Sequence, residues 1–323
     1  MHCTGCVYRR VAKIFTAFLF TGGIKMGALN KKRIRFGSDD VVMAVFAYGV
    51  AGAFALLCVI PFVYVLAYSV TPYSEYLRRP FNLLPERIEF LAYRDLLRYR
   101  YILTGYRNTL FISIVGTVLS MLLLVITAFP TTKKDLKGMK FYMVLWFITM
   151  FFSGGTIPNY MLIRQLGLLN SLWSQILPGL LGAWNIVMMR NYMQGLPDSI
   201  EEAALIDGAS QVQVLFRVIL PLCMPILAAL SLFTIVGLWN SYFSAILYLN
   251  KRDLWPLQLV LREIVIVSST REISAGTGTD EVVAQPFTMK MAAIIVTTLP
   301  IMCVYPFLQK YFMHGLVVGG VKE

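Results

Sequence analysis

Residues 218–250 read VILPLCMPILAALSLFTIVGLWNSYFSAILYLN, 33 positions between Arg217 and Lys251 without one charge. A helix crosses the hydrocarbon core of a bilayer with roughly 20 apolar residues, so this run is long enough to span. The rest of the chain has the same character. Of 323 residues, 58% are hydrophobic and 14% charged, against about 45–50% and about 25% in a soluble domain. A water-soluble chain of this size could not cover so much apolar surface. The composition excludes an ordinary cytosolic enzyme, a disordered protein and a nucleic-acid-binding domain. The net charge of +12 reads as loop charge beside a membrane rather than as a nucleic-acid footprint.

Working outward, the other charge-free gaps are 41–74, 108–132, 141–163, 165–189 and 291–309. Six spans are predicted, with cores at about 43–70, 108–130, 141–162, 170–189, 222–249 and 291–310. All are expected as helices, because lipid offers no partner to open backbone groups, and no stretch alternates as a barrel strand would. The fold class is therefore an all-α membrane protein. Pro178, Gly179, Gly182 and Asn185 interrupt the fourth span, which is expected either as a kinked helix packed on its neighbours or as a broken helix lining a pathway. The chain divides into an N-terminal segment, 1–40, and a transmembrane domain, 41–323. Within the former, residues 14–24 are apolar but too short to span, and an interfacial helix is expected there. Met26 is a second plausible start.

An even number of spans puts both termini on one side. With the termini inside, the inner segments 1–40, 131–140, 190–221 and 311–323 carry, with Lys310 at the border, 16 basic and 8 acidic residues, and the outer segments carry 13 and 9. The clusters Lys31-Lys32-Arg33-Arg35 and Lys133-Lys134-Lys137-Lys140 flank spans directly, and basic flanks face the cytoplasm. The seven arginines in 75–107 oppose that bias.

The residues of enzyme chemistry are sparse. His2 and His314 are the only histidines, and both lie near the ends. Cys58, Cys223 and Cys303 fall in or beside spans and read as small apolar residues, whereas Cys3 and Cys6 supply two ligands, short of a structural zinc site. Long stretches of the spans hold no ionisable group, against a proton-driven pump. Coupling to sodium through backbone carbonyls would leave the chain a secondary transporter. No G-x-x-x-x-G-K-[ST] loop is present. If ATP drives this protein, another subunit binds it.

One connection is long and patterned. Segment 190–221 contains Leu196-Pro197-Asp198-Ser199-Ile200-Glu201-Glu202-Ala203-Ala204-Leu205-Ile206-Asp207-Gly208-Ala209-Ser210. Pro197 stops what precedes it. Asp198 or Ser199 is placed to cap a helix whose first turn holds Glu201 and Glu202. Ala203 and Ala204 permit close approach to another surface, and Gly208 suits a left-handed end. A short capped helix standing off the bilayer has the form of a docking element, or of a solvated surface helix at an ordinary turn.

The pattern Glu202-Ala203-Ala204-(x3)-Gly208-(x9)-Val218-x-Leu220-Pro221 resembles the E-A-A-x3-G-x9-I-x-L-P motif of ABC importer permease subunits, with Val218 in place of Ile. Arg107-Asn108-Thr109, Ser153-Gly154-Gly155-Thr156-Ile157-Pro158 and the tail Gly315-Leu316-Val317-Val318-Gly319-Gly320-Val321-Lys322 narrow the resemblance to carbohydrate importers of the maltose-permease type, on the smaller-subunit branch. It covers about 105–323 well and 41–104 loosely.

The resemblance implies a type I importer permease fold and a non-catalytic subunit of the bacterial inner membrane. It further implies pairing with a second permease, two ATPase subunits that bind ATP and magnesium, and an extracytoplasmic solute-binding protein. Glu201, Glu202, Ala203, Ala204, Asp207 and Gly208 would form the coupling helix, about 199–209, seated in the ATPase. Gly319, Gly320 and Lys322 would extend toward the ATPase interface. Segment 262–290, mobile by composition, would face the binding protein. The substrate would be an oligosaccharide, including uronate-containing fragments such as those of alginate. Sugars bind through aromatic rings, amides and hydroxyls, and of Trp146, Trp173, Trp184, Trp239, Asn240, Tyr242 and Phe243 the mid-span group Trp239, Asn240 and Tyr242 is the first choice for the pathway.

Overall fold

The computed structural model describes residues 38–79, 85–133, 136–275 and 286–319. Among them, every regular element is helical. In chain order these are α1 (Ser38–Ser69), α2 (Tyr73–Arg78), α3 (Leu91–Arg98), α4 (Arg100–Thr131), α5 (Met139–Phe151), α6 (Thr156–Gln165), α7 (Trp173–Ile176), α8 (Ala183–Gln194), α9 (Asp198–Ile206) and α10 (Gln211–Gln213). A π-helical stretch, Val214–Ile219, then leads to α11 (Leu220–Leu222), α12 (Met224–Trp239), α13 (Phe243–Tyr248), α14 (Leu257–Ala275) and α15 (Pro286–Gly319).

The chain forms two compact units, 1–58 and 59–323. In the first, the described part of α1 is a run of exposed apolar side chains, Phe46, Val50, Phe54 and Leu57 among them. In the second, α4 is the central post. Its 32 residues extend about 48 Å at the usual rise, and it packs against α8, α12 and α14. Its buried face carries small polar residues, Thr109, Ser113, Thr117 and Ser120. Helices in lipid gain nothing from hiding apolar surface from one another and associate through close packing, which small side chains allow. Two backbones come close at Gly105, where a Cβ would lie 3.1 Å from the Leu257 Cα.

Among the described residues, two of the three buried clusters pack against α4 and form most of the interior. One joins Leu124, Val125 and Phe129 of α4 to Ile186 and Met189 of α8, Val214 and Leu215 of the π stretch, and Leu230 of α12. The other joins Ile102 and Trp239 to Leu257, Val260, Ala292 and Ala293. They lie toward opposite ends of α4, and about 14 Å of α12 separates Leu230 in the first from Trp239 in the second.

The six apolar segments are all helical, but among the described residues only Val45–Ser69 and Arg100–Thr131 are unbroken helices long and apolar enough to cross a bilayer. The third, expected whole over 141–162, bends by 114° between α5 and α6. There Phe152 turns to extended backbone and Gly155 takes φ +83°. Of the two forms expected for the fourth, the helix is broken rather than kinked: α7, a 3-10 turn at Leu177–Gly179, and then α8. The fifth bends by 79° at Cys223 and stops at Trp239, so Asn240 to Tyr242 form a break, not the middle of a continuous span. The sixth lies within α15, whose apolar stretch is Phe287–Cys303. Segment 262–290 is also not a plain loop, because α14 occupies its first part. Cys3, Cys6 and the interfacial helix expected at 14–24 lie outside the described residues.

Candidate functional site: the α9 elbow and the opposite break

After α8 ends at Gln194, Pro197 holds extended backbone (ψ 128°) at the position before α9, and Asp198 is the first helical residue. Neither Asp198 nor Ser199 caps the helix by a side-chain hydrogen bond, contrary to expectation. The fixed φ of proline pre-sets the entry instead, while Asp198 and Glu201 place negative charge in the positive first turn. The far end closes as the glycine implied. The Gly208 N–H donates to the Leu205 carbonyl and the Ala209 N–H to the Ala204 carbonyl, both at 3.0 Å, with Gly208 at φ +83°. That left-handed end reverses the chain, and a Cβ is unfavourable there. Ser210 and Gln213 then form a capping box that starts α10.

The motif residues separate by face. Ala204 is half-buried and packs on the cluster around Val125 and Met189, while Glu202, Ala203, Leu205, Ile206, Asp207 and Gly208 are exposed. Ile206 is 86% exposed. Glu201 turns inward to form an ion pair with Lys133, just past the end of α4, with 25% and 23% of the two side chains exposed. The Lys133 Nζ also lies 4.4 Å above the Phe129 ring centre. Beside it, the Arg190 Nε donates to the Thr131 carbonyl at 3.0 Å. One end of α4 therefore holds both α8 and α9. In the sequence Lys133 is one of four lysines that set orientation, and nothing local marks Glu201 as its partner.

At the other end, Asn108 and Thr109 are buried. Asn108 Nδ2 donates to the carbonyls of Asp253 (2.8 Å) and Trp255 (3.1 Å), and Thr109 Oγ1 accepts from the Leu257 N–H at 2.8 Å. These two residues staple the 249–257 segment and the start of α14 to α4. Nearby, Arg252 pairs with Glu263, donates to the Tyr99 hydroxyl at 3.0 Å and lies over the rings of Tyr101 and Trp255.

The three pathway residues do not share one environment. Trp239 is only 5% exposed, and its indole N–H donates to the Thr297 carbonyl at 3.3 Å, so it joins α12 to α15 within the core. Asn240 and Tyr242 lie beyond the end of α12, the former exposed and the latter 43% exposed. Asn240 accepts from Gln258 Nε2 at 3.2 Å, and the Arg262 guanidinium lies 5.3 Å from the Tyr242 ring centre. Gln258 and Arg262 carry no motif that would mark them in the sequence. Of the remaining aromatics, Trp173, Trp184 and Phe243 are exposed and Trp146 half-buried. At the C-terminus Gly319 is the last residue of α15, and Gly320 and Lys322 lie outside the described residues.

A helical membrane subunit with a short exposed helix on one side and a polar break toward the other has the parts of a transport component. The chain belongs to the family described as the binding-protein-dependent transport system inner membrane component, which matches residues 98–317. It is 40% identical over 280 residues to the polygalacturonan/rhamnogalacturonan transport system permease protein YtcP of Bacillus subtilis, covering 85% of this chain and 96% of that protein. It is 38% identical over 283 residues to protein LplC of the same organism, covering 88% and 94%. A chain in the crystal structure of a bacterial ABC transporter involved in the import of the acidic polysaccharide alginate superposes with a TM-score of 0.78 and 30% identity, covering 86% of this chain and 99% of that one. The protein is thus an importer permease of the sugar-transporting kind, and the all-α importer fold holds.

Proposed function

We propose that this chain is one of two permease subunits of an ATP-driven importer for acidic oligosaccharides, fragments rich in uronate units. The observation that carries the reading is the division of α9. Ala204 and Glu201 anchor the helix inward, while Glu202, Ala203, Leu205 and Ile206 project outward. Such a helix is a rigid peg for a cleft in a partner, with apolar contact from Leu205 and Ile206 and an exposed carboxylate at Glu202 for a basic residue.

The partners are a second permease, two ATPase subunits carrying ATP and magnesium, and a solute-binding protein that delivers the sugar. Both termini and α9 face the cytoplasm, in keeping with the basic flanks. Closure of the ATPase dimer moves α9, and the clamp at Lys133 and Arg190 carries that motion into α4 and α8. The spans then turn from one facing state to the other. The acidic substrate class rests on likeness to a polygalacturonan/rhamnogalacturonan permease and to an alginate importer. Gly319, Gly320 and Lys322 are assigned to the ATPase side.

The test is co-purification followed by reconstitution. This chain should retain an ATPase and a second permease through detergent purification. A cysteine at Ala203 should cross-link to the ATPase, and vesicles of the complex with binding protein should take up oligogalacturonides on ATP. A chain that purifies without an ATPase and transports on an ion gradient alone would instead be a secondary transporter.

A further inference from the structure

Four side chains meet at the break that follows α12. Two come from the break, Asn240 and Tyr242, and two from one turn of α14, Gln258 and Arg262, four residues apart and so on one helix face. Arg262 lies over the Tyr242 ring at 5.3 Å, and Asn240 Oδ1 accepts from Gln258 Nε2 at 3.2 Å. We propose that this group is a recognition site for a single negatively charged sugar unit, contributed by this subunit to the transport pathway. The proposal rests on the acidic-oligosaccharide reading above and names residues that carry it.

The break is held from behind. Ser241 and Ser244 hydroxyls lie 2.9 Å apart, Ser244 Oγ donates to Gln175 Oε1 at 2.6 Å, and Gln175 Nε2 donates to Ser174 Oγ at 3.2 Å. Gln175 and Ser174 are buried. A polar chain that reaches from α7 to both sides of Tyr242 fixes the turn, and with it the direction in which Asn240 and Tyr242 face. Recognition groups held in this way lose little freedom on binding.

The charge at the site is free to act. Glu263, the adjacent carboxylate on α14, is taken up by Arg252. Among the described residues Arg262 faces no carboxylate, and the Tyr242 ring is its one partner. Stacking holds a guanidinium while leaving its N–H fork open to a planar anion. Asn240 retains its amide N–H groups, and Gln258 its carbonyl oxygen, so the amide pair still offers donors and an acceptor to hydroxyls. Tyr242 supplies an apolar ring with a polar tip.

A uronate unit carries one carboxylate, vicinal hydroxyls and an apolar C–H face. The site presents a bidentate cation, an amide pair and an aromatic ring, one group for each of those features. A binding-protein surface is the poorer occupant, since stable protein contacts bury about 800 Å² per partner and this group covers little more than one helical turn.

The test uses the whole complex in vesicles with its binding protein, and tri-galacturonate against its methyl ester as probes. For Arg262→Gln we expect uptake of the acid to fall about tenfold relative to the ester, the scale of losing a paired charge in a site built for it. Arg262→Lys should restore part of the loss, and Gln258→Ala should lower uptake of both sugars. Docking of the loaded binding protein, read by its affinity for the complex, should not change. Equal loss for acid and ester in Arg262→Gln, or weakened docking of the binding protein whatever it carries, would overturn the site. If Arg262→Gln fails to assemble, the acid-to-ester ratio in Arg262→Lys decides: a ratio equal to that of the unaltered complex sinks the proposal. An unaltered complex that imports neither sugar overturns the importer reading, and the site with it.

Discussion

Lys133 closes an ion pair onto Glu201 across the space between the end of α4 and the first turn of α9, with the Lys133 ammonium seated on the Phe129 ring. The next carboxylate, Glu202, is exposed and has no partner among the described residues. Neighbouring residues on a helix point about 100° apart, so one glutamate is committed to the fold and the other is left for a partner.

That pair should carry motion as well as stability. Breaking a sheltered pair from one side costs about 1–3 kcal/mol, between the exposed and buried cases. Lys133→Ala should lower sugar uptake about tenfold, within the usual range of coupling energies, while ATP hydrolysis by the complex persists. The exchange Lys133→Glu with Glu201→Lys should recover uptake. If neither the single change nor the exchange alters the ratio of uptake to hydrolysis, α9 does not act through α4.

Gly208 stands at φ +83°, and a Cβ added there would meet nothing within 4 Å, so a substitution is felt by the backbone alone. A non-glycine residue in this region costs about 1–2 kcal/mol. Gly208→Ala should weaken uptake partly. Gly208→Asp, adding charge beside Asp207, should abolish it while the protein stays in the membrane and the ATPase continues to turn over. Normal uptake by Gly208→Asp would remove the coupling role from this turn.

Trp239→Phe removes the indole donor to the Thr297 carbonyl. A lost buried hydrogen bond of this kind costs about 1–2 kcal/mol, seen as a lower thermal unfolding midpoint of the purified complex. The preference among sugars should not move. A changed preference would return Trp239 to the pathway.

Asn108→Ala strips the donor from two carbonyls, those of Asp253 and Trp255. The expected loss is about 1–3 kcal/mol, concentrated in the 249–257 segment. Hydrogen exchange in that segment should quicken while exchange in α9 stays the same. Unchanged exchange throughout would show that the staple is redundant.

Much of this architecture is legible in the charges. Gaps between them locate every apolar helix, because burying an unpaired charge in lipid is costly. The breaks are less legible. Pro178 and Gly179 mark the place of the one in the fourth span but leave a kink and a break both open. Nothing as plain marks the stop at Trp239, because the following residues Ser241 to Tyr248 remain free of charge, and the long-range bonds from Gln175 and Gln258 help hold the chain in its turn there. The α9 helix, its left-handed end at Gly208 and its small residues are readable because caps and turns depend on local chemistry. Arg262 gives no local signal, since its role depends on what lies across from it.

From residue order alone it follows that this is a helical membrane protein, where its apolar segments lie, and that a short helix with small residues and a glycine end stands between the fourth and fifth. Those properties rest on periodicity, charge and backbone preference over a few residues. Packing in three dimensions settles which glutamate of α9 is held by Lys133, that Trp239 belongs to the core, and that Asn240, Tyr242, Gln258 and Arg262 come together. Each of those depends on the rotation of one helix against another, and close contact between distant segments sets that rotation.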